Sequence, residues 1–230
     1  MSIIKEHKFK YGVESRRFEY TKFYFNLFWL LKPKFDNKYL SFAEISTEGT
    51  ATQSRIKTIS IQKAKETPSE SIISTLTSDS DKVVIDVKYQ DGNKMICMYD
   101  DSICNIQNDK EEEIISLNKE GEKNIFAGIG LNNYAFRITE KNNLLSTETT
   151  VEFVNVGNRI PNTYIFDDSV KEVFTYGNYI ALNLGSEVHF VETNGWLSKK
   201  YISSQEIRKI VLADNFAGIV YRDKIEIVEL

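Results

Sequence analysis

The feature that most constrains this chain is a pair of matching segments in its C-terminal third. Residues 178–192 contain Asn-Tyr-Ile-Ala-Leu-Asn-Leu, a Gly-Ser-Glu turn and Val-His-Phe-Val-Glu. Residues 215–229 contain Asn-Phe-Ala-Gly-Ile-Val-Tyr, an Arg-Asp-Lys turn and Ile-Glu-Ile-Val-Glu. A short apolar run precedes each segment, at 173–174 and 210–212. Strand, turn, strand, turn, strand at this density predicts a repeated antiparallel meander.

Weaker copies of the same pattern lie upstream. Residues 124–138 turn at Asn132-Asn133, residues 82–99 turn at Asp91-Gly92, and residues 38–61 form the first copy. Asp-Gly between two alternating runs is a strong hairpin signal, because both residues accept positive φ. The five copies begin at Lys38, Lys82, Asn124, Asn178 and Asn215, with spacings of 44, 42, 54 and 37 residues.

A self-similar β unit of about 40–45 residues is typical of propeller blades, each of which needs stacked neighbours to bury its faces. The unit resembles the blades of WD-repeat-like β-propellers in this internal repeat, although the Trp-Asp and Gly-His dipeptides of true WD repeats are absent. The resemblance implies an all-β chain with five blades, formed by residues 1–230 as one domain. The alternatives are a two-sheet sandwich or stacked-sheet domain, and a fold with substantial helix.

Three segments fall outside the repeat. Residues 62–76 predict a loop or a short helix opened by Pro68, and residues 106–123 are polar enough to form a long connection between blades. The aromatic run at residues 18–31 fits a strand, with Phe23 and Phe25 on one side, and it also fits a helix, with Phe23 and Leu27 aligned. We favour the strand because aromatic residues dominate the run.

Charge and composition exclude several classes of protein. The chain has 29 basic and 33 acidic residues, a net charge of −4, which disfavours a nucleic-acid-binding protein. Its longest apolar run, residues 27–31, is far shorter than the roughly 20 residues of a membrane span, and no signal peptide is evident. Its two cysteines, Cys97 and Cys104, form no disulfide framework. We therefore expect a cytoplasmic protein, with both thiols reduced and no association with membranes.

No motif predicts catalysis, a metal or a cofactor. The two histidines, His7 and His189, form no ligand pair, and His189 is expected to be a half-exposed strand residue. Gly185-Ser186-Glu187 predicts a hairpin turn and not a nucleophile elbow. Because some five-bladed propellers are glycosidases that use two carboxylates, six aspartates are candidates: Asp86, Asp100, Asp101, Asp167, Asp168 and Asp214. We expect them to be turn residues.

The composition instead favours a non-catalytic protein-binding module. Its candidate contacts are acidic and aromatic: Glu111, Glu112, Glu113, Asp100, Asp101 and Trp196. The glutamate run could attract a basic partner or be a solvated loop, and Trp196 could anchor a partner or pack on a neighbouring blade.

Enrichment in Lys, Asn and Ile is typical of AT-rich bacteria. In such a setting the chain could be an immunity protein that occludes the active site of a basic, nuclease-like toxin. The alternatives are a propeller-type glycoside hydrolase and a structural subunit of a larger assembly.

Overall fold

The computed structural model describes residues 29–35, 38–48, 51–78, 82–91, 94–107, 110–118, 120–142 and 146–230. These residues form five antiparallel sheets, each a meander of consecutive strands. The first two sheets have four strands each: β1 (Trp29–Phe35), β2 (Tyr39–Glu48), β3 (Ala51–Ser60) and β4 (Ile72–Thr77), then β5 (Val84–Asp91), β6 (Lys94–Tyr99), β7 (Ser102–Gln107) and β8 (Lys110–Ser116).

The third and fourth sheets repeat this plan, and the fifth has three strands among the described residues. The third contains β9 (Lys123–Leu131), β10 (Tyr134–Asn142), β11 (Thr147–Asn155) and β12 (Pro161–Asp167). The fourth contains β13 (Glu172–Tyr176), β14 (Tyr179–Asn183), β15 (Glu187–Glu192) and β16 (Leu197–Ile202). The fifth contains β17 (Lys209–Leu212), β18 (Phe216–Val220) and β19 (Ile225–Glu229).

Five sheets confirm the five predicted units, and the two-sheet alternative does not describe this arrangement. The first strand of each sheet contacts the first strand of the next, from β1 through β5, β9 and β13 to β17. The first strands therefore line the axis of a propeller-like stack. Four apolar clusters join the five sheets in sequence, and within the described residues no such cluster joins the fifth sheet to the first.

The two predicted C-terminal hairpins form as expected, and their small residues lie at tight points of the core. Ala181 and Ala217 are both fully buried in the cluster between the fourth and fifth sheets. Ala181 extends from β14 towards the fifth sheet, and Ala217 extends from β18 towards the fourth. The position of β18 that corresponds to Ala181 is therefore Gly218, which lies on the outward face of the fifth sheet.

The segments outside the repeat are partly as predicted, but the prediction of a loop or short helix is wrong for residues 72–76, which belong to strand β4. Residues 61–66 form the helix α1, where the Ser60 side chain accepts a hydrogen bond from the backbone N–H of Lys63, and Pro68 opens a 3-10 turn at Pro68–Glu70. No helix in the described part of the chain is long and apolar enough to span a membrane. Residues 29–31 of the aromatic run belong to β1, which confirms a strand there, whereas residues 18–28 lie outside the described ranges.

The prediction of a long connection at residues 106–123 is wrong. Residues 110–116 form β8, the outer strand of the second sheet, where Glu111 lies opposite Ile106 and Glu113 lies opposite Cys104. A strand at the edge of a sheet tolerates charged residues because one of its sides is open to water. A polar composition was therefore compatible with a strand at this place.

Candidate binding site

One end of the stack carries a set of turns that form a single surface. In a meander, the turn between the first and second strands and the turn between the third and fourth lie at the same end of the sheet. We call this end the hairpin face, and we define it by residues 131–134, 155–161, 176–179, 192–197 and 212–216. The turns between second and third strands lie at the opposite end.

Hydrogen bonds between neighbouring sheets hold the hairpin face together. The backbone N–H of Asn132 donates to the Gly177 carbonyl at 2.8 Å, joining the third and fourth sheets. The Asn162 side chain joins the same two sheets by donating to the Thr193 carbonyl at 2.9 Å. The Tyr176 hydroxyl donates to an Asp214 carboxylate oxygen at 3.2 Å, which links the fourth sheet to the fifth. The turns are therefore fixed relative to one another.

Trp196 lies on the hairpin face with 75% of its surface exposed. The backbone carbonyl of Trp196 accepts a hydrogen bond from the Glu192 backbone N–H at 2.9 Å. The backbone N–H of Trp196 donates to the Asn194 side-chain oxygen at 2.9 Å. Gly195 has a φ of 86°, and a Cβ there would lie 2.7 Å from the Thr163 carbonyl oxygen, so this turn packs tightly against the third sheet. The alternative that Trp196 packs on a neighbouring blade is wrong: its backbone is fixed and its indole is free.

Other large apolar side chains are exposed at the same end. Ile160, Tyr176 and Phe216 are 58%, 44% and 49% exposed. Isolated exposed apolar residues are common on any protein surface. Four of them on turns that are hydrogen-bonded across sheets form a surface whose composition resembles the core of a protein interface, in which aromatic residues are enriched.

A polar cleft of about 400 Å³ opens between the second and third sheets beside the hairpin face. Its lining is mainly amide side chains: Gln90, Asn105, Gln107, Asn133 and Asn155, together with Lys94, Glu112, Val156, Gly157 and Arg159. Asn133 and Arg159 have φ values of 49° and 59°, and they are the two described non-glycine residues with a left-handed backbone. The Asn105 Oδ1 atom is buried without a hydrogen-bond partner. The cleft offers amide donors and acceptors but no nucleophile.

A second cleft, of about 640 Å³, lies at the opposite end between the same two sheets. It is lined by Asp100, Leu117, Asn118, Glu120, Glu122 and Asn124. Arg137 borders it, with its guanidinium 3.7 Å from a Glu122 carboxylate oxygen. Asp100 also accepts a hydrogen bond from the Val83 N–H at 2.9 Å. We call this cleft the acidic cleft, because carboxylates predominate among its polar groups.

The predicted glutamate run does not form one acidic surface. Consecutive residues of a strand point to opposite faces of the sheet. Glu111 therefore faces the first sheet, where it accepts from the Tyr99 hydroxyl at 2.8 Å and lies 3.6 Å from the Lys82 ammonium. Glu112 faces the third sheet and forms an ion pair with Arg159. Glu113 shares the face of Glu111.

The other predicted contact residues are divided between the two ends. Asp100 lines the acidic cleft, and the Asp101 side chain accepts from the Ser102 hydroxyl at 2.6 Å. Both lie at the end opposite Trp196. Of the glycosidase candidates, Asp168 accepts from the Ser169 N–H at 2.7 Å, which is the predicted use of aspartate in a turn. The prediction of turn residues is wrong for Asp86 and Asp167, which belong to β5 and β12.

His189 is not half-exposed as predicted, because only 3% of its surface is accessible. Its Nδ1 lies 3.0 Å from the Tyr164 hydroxyl and its Nε2 lies 2.6 Å from a Glu187 carboxylate oxygen. Tyr164 and Phe166 of the third sheet cover the ring, with the Phe166 centroid at 5.0 Å. Burial lowers the pKa of His189, and each ring nitrogen has a hydrogen-bonding partner. This pattern leaves the ring no free nitrogen for chemistry.

The two cysteines lie directly opposite each other on β6 and β7. They are free thiols, 0% and 1% exposed. Burial raises the pKa of both, that of Cys104 to about 12. Since the thiolate is the reactive form, neither cysteine is suited to nucleophilic chemistry at neutral pH. Among the described residues, no group of three or more His, Cys, Asp or Glu residues is placed to hold a metal ion.

Comparison with protein families identifies the family of this chain. Residues 34–230 match the model of a family described as a family of unknown function (DUF5711). The chain belongs to this family. No curated protein matches it.

Solved structures similar to this DUF5711 member have very low sequence identity to it. KlHsv2 with loop 6CD replaced by a Gly-Ser linker is 9% identical, with a TM-score of 0.51 over 88% of this chain and 63% of that one. Oligopeptidase B from Leishmania major is 8% identical, with a TM-score of 0.50 over 83% and 28%. BamB from Moraxella catarrhalis is 12% identical, with a TM-score of 0.41 over 86% and 56%. The chain spans less than two thirds of each of these structures, and the likeness to KlHsv2 is one of β-propeller-like fold alone.

Proposed function

We propose that this DUF5711 member is a non-catalytic protein-binding module whose partner docks on the hairpin face. The observation that carries the proposal is the exposed indole of Trp196 on a turn whose backbone is hydrogen-bonded on both sides. Burial of a large aromatic ring against a partner removes it from water and stabilises the complex. Its fixed backbone loses little conformational entropy on binding.

The size of the indole makes this gain substantial. An aromatic side chain buries about 150–250 Å² when it is fully covered, which corresponds to about 4–6 kcal/mol at about 25 cal/mol per Å². Three quarters of the Trp196 surface is available for that burial. Ile160 and Tyr176 extend the apolar area, and the amide side chains of the neighbouring cleft supply hydrogen-bonding groups around it.

In its narrower form, the proposal is that the partner is a basic, nuclease-like toxin and the chain is its cytoplasmic immunity protein. The acidic cleft supports this form, because Asp100 and Glu120 line it and offer carboxylates to a lysine or arginine side chain. The net charge of −4 favours encounter with a basic protein. The acidic cleft and Trp196 lie at opposite ends of the stack. The narrower form therefore places the basic partner on the acidic cleft and not on the hairpin face, and the two forms can be tested separately.

The first experiment compares two exposed apolar residues of the fourth sheet. The parent protein is used to isolate a partner, and binding is then measured for Trp196→Ala and for Ile202→Ala. Ile202 is 77% exposed but lies at the other end of β16. We expect Trp196→Ala to weaken binding by at least about 30-fold, mainly through faster dissociation, because truncation of an anchor costs about 2 kcal/mol or more. Ile202→Ala should bind like the parent.

The second experiment tests the acidic cleft. Glu120→Lys should slow association with a basic partner and weaken its salt dependence, because exposed charges act mainly on encounter. Glu206→Lys, an exposed reversal outside the cleft, is the control for net charge. Equal association rates for the two variants would contradict the narrower proposal. Equal affinity of Trp196→Ala and the parent would contradict the broader one, as would turnover of a sugar by the isolated chain.

A further inference from the structure

A row of polar side chains crosses the second sheet at the end that borders the hairpin face. Lys94 pairs with Gln107 in the sheet, and Asn105 pairs with Glu112, so these side chains extend from three neighbouring strands on one side. They form the floor of the polar cleft of about 400 Å³. We call it the amide cleft and define it by its lining residues: Gln90, Lys94, Asn105, Gln107, Glu112, Asn133, Asn155, Val156, Gly157 and Arg159.

The opposite wall of the amide cleft is formed by turns of the third sheet that hydrogen bonds hold in place. The Asn155 Oδ1 atom accepts from the backbone N–H of Gly157 at 2.9 Å. The backbone N–H of Arg159 donates to the Asn155 carbonyl at 2.8 Å, and that of Val156 donates to the Asn133 carbonyl at 2.9 Å. Because the turn holds the Asn155 oxygen, the Nδ2 group of this side chain is left as a donor for a ligand. A wall fixed in this way loses little conformational entropy on binding.

Asn105 carries the observation that points to a ligand. Its Oδ1 atom is buried without a hydrogen-bond partner among the described residues. Buried carboxamides are usually paired, because an unpaired one destabilises the fold. The terminal torsion of asparagine is broad and roughly two-fold, so rotation about the Cβ–Cγ bond exchanges Oδ1 with Nδ2. Since Oδ1 has no partner to lose, this rotation can turn it towards an N–H group in the cleft.

We propose that the amide cleft binds an extended peptide segment of the partner through its main-chain groups. A peptide unit presents one N–H donor and one carbonyl acceptor, and a carboxamide side chain presents donors and an acceptor as well. One asparagine or glutamine can therefore pair with one peptide unit through two hydrogen bonds. The four strands of the second sheet are together about 14 Å across, which is the length of about four extended residues.

The amide cleft continues into the hairpin face. Ile160 directly follows Arg159 of the cleft and is 58% exposed. Asn162 donates to the Thr193 carbonyl, in the turn that carries Trp196. A segment that leaves the cleft beside Arg159 therefore meets Ile160 and then Trp196. This segment is what the partner of the proposed function presents, so the inference rests on that function.

A sugar fits the amide cleft less well than a peptide. Sugar rings commonly stack an apolar face on an aromatic side chain, and none of the described residues that line the cleft is aromatic. Glu112 and Arg159 form an ion pair and neutralise each other, which suits an uncharged main chain. Lys94 adds a donor for a peptide carbonyl. Main-chain hydrogen bonds can supply the affinity of such a complex, while neighbouring side-chain contacts supply its specificity.

A selected peptide is the probe for this proposal. Eight-residue peptides displayed on phage are selected on the immobilised full chain, and the strongest binder is synthesised with acetylated and amidated ends. Calorimetry gives its dissociation constant for the parent, Asn105→Ala, Gln107→Ala and Gln205→Ala. Gln107 and Gln205 are both exposed, and Gln205 follows β16 at the other end of the stack, so Gln205→Ala is the matched control.

The cleft variants should weaken binding, whereas the control should bind like the parent. Loss of one neutral hydrogen bond corresponds to a loss of affinity of about 2- to 12-fold, which we expect for Gln107→Ala. Asn105→Ala should lose at least as much. It should also melt no lower than the parent, since it removes a buried acceptor that has no partner. Because Gln107 is exposed, its variant keeps the test valid even if Asn105→Ala folds poorly.

N-methylation of the peptide tests recognition of its main chain. Each N-methyl group removes one main-chain donor and leaves every side chain in place. At one or more positions it should weaken binding to the parent by about 5-fold or more. The same modification should have little further effect on Asn105→Ala, because the acceptor that it would leave unpaired is already absent.

Several results would overturn the inference. Selection could give no peptide, both cleft variants could bind like the parent, or Gln205→Ala could lose as much affinity as Gln107→Ala. N-methylation could have no effect, or an equal effect on the parent and on Asn105→Ala. A lower Tm of Asn105→Ala with unchanged affinity would assign this side chain to folding alone. Binding of an oligosaccharide library that is lost in Asn105→Ala would assign the cleft to a sugar.

Trp196→Ala separates this inference from the proposed function. Peptide binding that depends on Asn105 and Gln107 but not on Trp196 would support the amide cleft and contradict the anchor on the hairpin face. Peptide binding that depends on Trp196 but not on the two cleft residues would support the anchor and overturn the inference. Melting curves confirm that each variant is folded.

Discussion

Neighbouring residues of β18 should respond in opposite ways to enlargement. Ala217 is 0% exposed in the cluster between the fourth and fifth sheets, whereas Gly218 lies on the outward face. Ala217→Phe inserts a ring into a region that is already closely packed, and such overpacking costs about 1–3 kcal/mol. Gly218→Ala places a methyl group no closer than 3.8 Å to its neighbours and removes the entropic cost of glycine in a strand. The second change should be neutral or should stabilise by up to about 1 kcal/mol.

Thermal and guanidinium unfolding of the two variants measure this difference. For a chain of this length, 1 kcal/mol shifts Tm by about 2–4 °C. Ala217→Phe should therefore lower Tm by about 2–12 °C, and Gly218→Ala should leave it unchanged or raise it by up to about 4 °C. Equal losses in both variants would refute the assignment of these two residues to opposite faces of the sheet. A parent-like Ala217→Phe would refute the close packing of the fourth sheet against the fifth.

Three further predictions concern buried polar groups. Because burial lowers the pKa of His189, its contribution to stability is complete above about pH 6.5, the ordinary pKa of histidine, and declines as the pH falls towards the folded-state pKa, by at most about 1.4 kcal/mol per pH unit. His189→Gln should reduce the dependence of urea unfolding on pH between 7.5 and 5.5, and an unchanged dependence would contradict this. Arg137 is 8% exposed, with its Nε 2.5 Å from a Glu152 carboxylate oxygen and its Nη1 3.0 Å from a backbone carbonyl. Arg137→Ala should therefore cost about 2–3 kcal/mol in urea unfolding, and a parent-like midpoint would show that the ion pair contributes little. Cys97 and Cys104 should resist a thiol reagent in native buffer and react at once in denaturant, whereas fast labelling of the native protein would show that the second sheet opens.

The strands of the fifth sheet were predictable because their signals are local. Alternation along 216–220 and 225–229, separated by Arg-Asp-Lys, specifies a hairpin without knowledge of the rest of the chain. The five units could be counted for the same reason. Their stacking order followed from the repeat, since one sheet cannot bury both of its faces alone.

The candidate site was less predictable because it depends on contacts between sheets. The partner of Glu112 is Arg159, 47 residues away, and nothing near either residue signals the pair. Alternation in β15 suggested an exposed face for His189. A strand between two neighbouring sheets is buried on both faces, so Val188, His189 and Phe190 are all covered. The position of Trp196 in a turn was evident, but its exposure depended on how the third sheet approaches Gly195.

The sequential stacking of the sheets has a consequence for how the molecule opens. In the part of the chain that the structure describes, each strand pairs only with its neighbours in the chain, and the apolar clusters join only successive sheets. Cooperative unfolding in such an array depends on the interfaces between successive sheets, as in a solenoid, and not on one core that all the sheets share. We expect amide protons of the middle sheets to be protected on both sides, and those of the fifth sheet to exchange through local fraying that leaves the other sheets intact. The same property lets the terminal unit vary, or gain a neighbour, without the remaining units having to be repacked.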